Sequence, residues 1–259
     1  MTDRVLALTG IHNFRDYGGY AAGDGRRVRS GMLWRSGQHV DATGPDLDAV
    51  ARLGLATVID LRGDSERVLH PCARHVGFDA AVLFAPGETV GGHAPHVEAA
   101  AGIENADEAH RAMVWLYKSM PYRTNLVATL TLYLDALATR DGPSLIHCLA
   151  GKDRTGLAVA IVHSLLGVHH DDLMADYLLT NSAGNAEARI AAGAVTVRAN
   201  FGQAMSDDAV RTLMSVHPDY LDTALSAIAD SHGDVDRYAE EVLGVTSARR
   251  DAMATRLLA

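Results

Sequence analysis

The stretch "SLIHCLAGKDRTGLAVAIVHSLLGV" (144–168) constrains this chain more than any other. Asp141-Gly142-Pro143 sets off a short apolar run, a polar loop with one glycine follows, and a long apolar segment follows that. The order predicts a buried strand, a loop and a helix. Free backbone N–H groups and the positive end of the helix dipole converge in such a loop, which makes it an anion site. The nucleotide-binding pattern G-x-x-x-x-G-K-[ST] fails here twice. Asp153 follows Gly151-Lys152 where a hydroxyl is needed, and Ile146 stands where the first glycine is needed.

What fits is Cys148, five residues, then Arg154, Thr155 and Gly156. A thiol facing a ring of N–H groups is activated, because such surroundings lower a cysteine pKa from about 8.5 to roughly 3.5–7.5. The planar fork of Arg154 suits two oxygens of a phosphoryl group, and Thr155 offers a hydroxyl to the sulfur. Leu149, Ala150, Gly151, Lys152, Asp153 and Arg154 are the expected phosphate-binding residues. A thiolate beneath phosphate can attack phosphorus and form a phosphocysteine that water hydrolyses. The competing reading is a buried, inert cysteine ahead of a polar loop.

The rest of the chain supplies a scaffold. "HNFRDYGGY" and "RRVRSGMLWRSG" flank the turn "AAGDG" as extended segments. "PDLDAVARLG" (45–54) has helical spacing and ends on glycine, while "LATVID" (55–60) and "DAAVLF" (79–84) read as strands. Residues 85–112 are rich in Gly, Ala and polar side chains, and predict a lid inserted before the Cys148 strand, with a disordered insertion as the alternative. Helical patterns resume with "HRAMVWLYKSM" and "YRTNLVATLTLYLDALA", and residues 171–259 read as a helical extension. We therefore expect an α/β fold with a mainly parallel sheet flanked by helices, in one domain over residues 1–259.

The 259 residues suffice to bury roughly 70–75% of the unfolded surface. The formal charge of −9 disfavours a general nucleic-acid or anionic-membrane surface, so any bound anion needs a local site. Two cysteines, Cys72 and Cys148, are too few for a disulfide framework and suit a reducing compartment. With no signal-like start and no apolar span, the expected location is cytoplasmic, unconventional export aside. The 13 histidines lack familiar metal-ligand spacing, so no metal and no cofactor are expected. A disulfide between Cys72 and Cys148 is the minority reading of that pair.

"HCLAGKDRTG" resembles the signature loop of the cysteine-dependent protein tyrosine phosphatase superfamily. "NFRDYGGY", "LWRSG", "VIDLR" and the later "ADYLLTN" are similar to a narrower branch, the bacterial tyrosine/serine phosphatases that include mycobacterial protein tyrosine phosphatase B. The resemblance spans about Ile11 to Asn181. It implies a phosphatase fold with a lid, no metal, and a phosphorylated protein or phosphoinositide as substrate. It also bears on Asp153. A charged carboxylate about 4 Å from phosphate costs roughly 4 kcal/mol per charge pair at an effective dielectric near 20, and protonation relieves that cost. Asp153 is thus either the general acid or a cap of the following helix. Asp60, at the end of a predicted strand, is the rival acid or an ion-pair partner of Arg62.

Lys152 is expected at the rim or in solvent, His147 to orient the loop, and Arg15 and Asp16 to brace the site or a turn. A silent phosphate-binding module and a cysteine-based sulfurtransferase or arsenate reductase are the alternative functions.

Overall fold

Strand β5, Ser144–His147, is the middle of a five-stranded sheet in the computed structural model, which describes residues 4–89, 100–201 and 205–259. The other strands are β1 (Arg15–Asp16), β2 (Leu33–Ser36), β3 (Thr57–Asp60) and β4 (Ala81–Leu83), in the order β1-β2-β5-β3-β4. All neighbours run parallel except the edge pair β1–β2. This is the expected α/β architecture with a mainly parallel sheet. The strands are shorter than the apolar runs that announced them, because Leu55 and Ala56 lead into β3 while only the middle of 79–84 pairs.

Alternation along the strands divides the core in two. Trp34, Val58 and Leu145 stand side by side across one face and pack with Val50, Leu55, Ile11 and Phe14. Helix α1, Gly44–Ala51, covers this face, started by a Thr43–Asp46 capping box. Leu33, Ile59 and Ile146 point to the larger cluster on the other face. That cluster is built with α3 (Ala106–Ser119), α4 (Thr124–Thr139) and α5 (Asp153–Leu165). The short α2, Asp64–Leu69, follows β3.

Every residue of α5 from Asp153 to His163 is buried. A helix buried all round needs neighbours on all sides, and the C-terminal half provides them. The helices α6 (His170–Leu178), α7 (Ala186–Phe201), α8 (Asp207–Met214), α9 (Pro218–His232), α10 (Val235–Glu241) and α11 (Ser247–Leu257) follow. Gly156 lets α6 come close, since a Cβ there would meet the Tyr177 ring at 2.8 Å.

The segment expected as a lid divides. Residues 90–99 lie outside the described residues, so the lid expectation for them is not addressed by the structure. Ala85–Thr89 form a bonded turn: the Asn125 side chain donates to the carbonyls of Ala85, Pro86 and Gly87, and Ser65 donates to Glu88. At the far end, residues 106–112 open α3, capped by Asn105. Among the described residues no helix is long and apolar enough to cross a membrane.

Candidate active site

Register brings Ser36, His147 and Asp60 level at the carboxyl ends of β2, β5 and β3. Open α/β sheets build ligand sites at such ends. Cys148 follows β5 directly and is 2% exposed. The loop then turns through Gly151, whose φ of +65° lies in the left-handed region. A Cβ there would sit 2.4 Å from the backbone of Ser36, so only glycine fits.

The carbonyl of Gly151 accepts from Asn13 Nδ2 at 2.7 Å and from Arg35 Nη2 at 3.1 Å. Asn13 itself is left-handed at φ +59°. Arg35 Nη1 also donates to Asp176 Oδ2 at 2.6 Å, and Arg15 donates to the other oxygen of Asp176 and to Asn13. These groups are buried. Burial alone would raise the Asp176 pKa, but the charges of Arg15 and Arg35 outweigh it and hold the carboxyl well below the usual range. Asp176 thus ties α6 to two strands and, through them, to the loop. Arg15 belongs to this brace. Asp16 does not, since it accepts from the backbone N–H groups of Gly18 and Gly31 and shapes the turn.

Arg154 is anchored from outside the loop. Its Nη1 donates to Glu66 Oε2 at 2.6 Å and its Nη2 to Glu66 Oε1 at 2.8 Å, with a further bond to the Leu61 carbonyl. Burial would lower the arginine pKa, but Glu66 outweighs it and drives the net shift upward. Arg154 Nε and Thr155 Oγ1 are buried without a hydrogen-bond partner. Buried donors are nearly always satisfied, which leaves these two beside the loop available to a ligand. Glu88, Thr89, Arg123, Asn125 and Arg154 line a cavity of about 150 Å³ at this end of the loop. Glu66 gave no sequence signal beyond its position three residues into a short acidic helix.

Asp153 is 2% exposed and is the first residue of α5; the cap position belongs to Lys152. Its Oδ1 accepts from Tyr117 Oη at 2.9 Å and from Lys152 Nζ at 2.5 Å. Lys152 is therefore neither at the rim nor in solvent. It is fully buried, its Nζ also reaches the Ser215 carbonyl at 3.3 Å, and desolvation lowers its pKa despite Asp153. Tyr177 donates to Tyr117 at 2.9 Å, which extends the chain of hydroxyls behind Asp153.

Asp60 is committed elsewhere. Arg62 donates to Oδ1 from Nε at 2.9 Å and to Oδ2 from Nη2 at 2.8 Å. Burial would raise the Asp60 pKa, but His147 and the Arg62 ion pair outweigh it and hold it well below the usual range. This is the Arg62 ion pair that was expected as the alternative to a role as acid. Buried His147 contacts the Cys148 carbonyl at 3.3 Å and stacks 5.6 Å from His39. Of the remaining loop residues, Leu149 accepts the Gln38 N–H at 2.9 Å and Ala150 is buried. Both cysteines are free thiols, and Cys72 accepts from Arg62 Nη2 at 3.2 Å.

A model of the tyrosine phosphatase family matches residues 6–259 of this chain. A Cupriavidus necator protein that carries a tyrosine-protein phosphatase name is 34% identical over 257 residues, covering 94% of this chain and 86% of its own. The triple specificity protein phosphatase PtpB of Mycobacterium tuberculosis is 28% identical over 284 residues, covering 98% and 99%. A tyrosine-protein phosphatase of Nostoc commune is 29% identical over 140 residues, covering 53% and 44%.

Proposed function

The chain belongs to the tyrosine phosphatase family, and from that premise we propose that it hydrolyses phosphomonoesters through a phosphocysteine at Cys148. Cys148 Sγ attacks phosphorus while the backbone N–H groups of residues 149–154 and Arg154 Nε hold the phosphoryl oxygens. The bond from phosphorus to the leaving oxygen breaks, and that oxygen takes the proton of Asp153. Water then gives a proton to Asp153 and attacks phosphorus, the S–P bond breaks, and inorganic phosphate leaves with the sulfur restored. Asp60 holds Arg62 and takes no proton in this scheme.

The observation that carries this reading is the pair of orphaned donors, Arg154 Nε and Thr155 Oγ1, beside a cysteine at the carboxyl end of the central strand. Asp153 supports it too. Its carboxyl is held beside the loop by Tyr117 and Lys152.

The substrates we propose are phosphorylated proteins, with phosphotyrosine and phosphoserine both accepted and phosphoinositides as a further class. The breadth is suggested by the relative named for triple specificity. The test is turnover of an aryl phosphate in the presence of a chelator, followed by mass spectrometry of rapidly quenched enzyme. Turnover with a phosphate adduct on the Cys148 peptide is expected. Cys148→Ser should bind vanadate or tungstate but not turn over. Full activity in that variant overturns the covalent mechanism.

A further inference from the structure

Near the start of α3 three side chains of two segments converge. His110 comes from the first half of α3, and His217 and Asp219 come from the start of α9. His110 Nε2 stands 3.0 Å from Asp219 Oδ2, and His217 Nδ1 stands 3.4 Å from the same oxygen. The three ligand atoms all lie within 4.8 Å of one another. Zinc with imidazole and carboxylate ligands at about 2.0–2.1 Å sets neighbouring ligand atoms about 3.4 Å apart in a tetrahedron. Two of the observed spacings, 3.0 and 3.4 Å, lie near that edge, and the third is within 4.8 Å.

His217 Nδ1 accepts the Asp219 backbone N–H at 3.3 Å as the cap of α9, and a bound cation would take that lone pair in place of the N–H. Imidazole donors select zinc over magnesium or calcium.

We propose that His110, His217 and Asp219 form a zinc site with water in the fourth position, clamping α3 to the turn ahead of α9. The side chains are part exposed, at 33%, 52% and 56%, so the ion reaches them from solvent and small rotations close the third edge. The clamp has a route to the loop. His217 lies two residues after Ser215, whose carbonyl accepts Lys152 Nζ, and Tyr220 packs 5.1 Å from His110 and 5.6 Å from Tyr117. The site stands independently of the chemistry assigned to Cys148.

The experiment uses the full chain with Cys72→Ser and Cys148→Ser, so that neither thiol contributes, after chelator treatment. Calorimetric titration with zinc should show one equivalent bound and a raised Tm, with no such binding of magnesium. His110→Ala and His217→Ala should each lose that equivalent while keeping the parent's circular dichroism. NMR of the folded parent gives a readout that needs no variant, since the His110 and His217 ring signals should shift with the first equivalent. Absence of stoichiometric binding, retention of it in both variants, or shifts confined to other histidines overturns the proposal.

Discussion

Arg154 and Glu66 meet through two parallel hydrogen bonds, 2.6 and 2.8 Å long, between residues that are 3% and 5% exposed. The pair joins the last residue of the anion loop to a helix that precedes it by more than eighty positions. It fixes the plane of the guanidinium and leaves Nε for a ligand. Removing one partner of a buried pair leaves the other charged and unpaired, at about 3–5 kcal/mol. Glu66→Ala should therefore lower folding stability by that amount and raise KM for an aryl phosphate. Urea unfolding and steady-state kinetics check both. A stable variant with parental KM would mean that Arg154 holds its place without Glu66.

Gly151 offers a sharper test of the loop's shape. An alanine there needs the left-handed conformation, at about 1–2 kcal/mol, and its Cβ would lie 2.4 Å from the Ser36 carbonyl. The loop must move away from Ser36, which also strains the bonds from Asn13 and Arg35 to the Gly151 carbonyl. A displacement near 1 Å at a reacting centre can cost about 100-fold in rate. Gly151→Ala should fall by at least about that factor in kcat/KM while its circular dichroism stays native. Parental kinetics would show that the tight Ser36 contact is not required.

The buried histidines make stability depend on pH. Burial lowers the His147 pKa from the ordinary 6.5 to about 4, and His39 shifts the same way. Between those values the unfolded chain binds a proton at His147 that the folded chain refuses. The stabilisation is complete above pH 6.5 and is lost as pH falls towards about 4. One proton corresponds to about 1.4 kcal/mol per pH unit, so this histidine alone accounts for roughly 3 kcal/mol. Urea midpoints should drop across this window, and His147→Gln should flatten the slope by about one proton. An unchanged slope in that variant would remove His147 from the account.

The strand, loop and helix around Cys148 were legible in the sequence because they are contiguous. A strand, a glycine and a helix start within a dozen residues fix where the N–H groups point. The sheet was legible for a similar reason, since Val58-Ile59 and Leu145-Ile146 are apolar on both faces, as central parallel strands require. What holds the loop was not legible. Glu66, Tyr117 and Asp176 are ordinary surface-type residues on helices until tertiary packing aims them at Arg154, Asp153 and Arg35. The burial of Lys152 was not legible either, since the sequence placed it at the rim or in solvent. It is buried because Asp153 and the Ser215 carbonyl, sixty-three positions away, satisfy its ammonium.

The choice between Asp153 and Asp60 yields the last prediction. A general acid matters in proportion to how poorly the leaving oxygen carries charge, and is worth about 100- to 10,000-fold where it is needed. Asp153→Asn should therefore slow alkyl phosphates by something in that range and spare aryl phosphates with good leaving groups. Tyr117→Phe removes a donor from Asp153 Oδ1 without touching the carboxyl. The carboxyl stays in place, so Tyr117→Phe should keep most of the alkyl-phosphate rate that Asp153→Asn loses. Asp60→Asn breaks the Arg62 pair and should slow both substrate classes alike, because the defect lies in positioning. Steady-state rates for the three variants across both classes and across pH decide the matter. Equal losses on alkyl and aryl substrates in Asp153→Asn, with a selective loss in Asp60→Asn, would move the acid to Asp60.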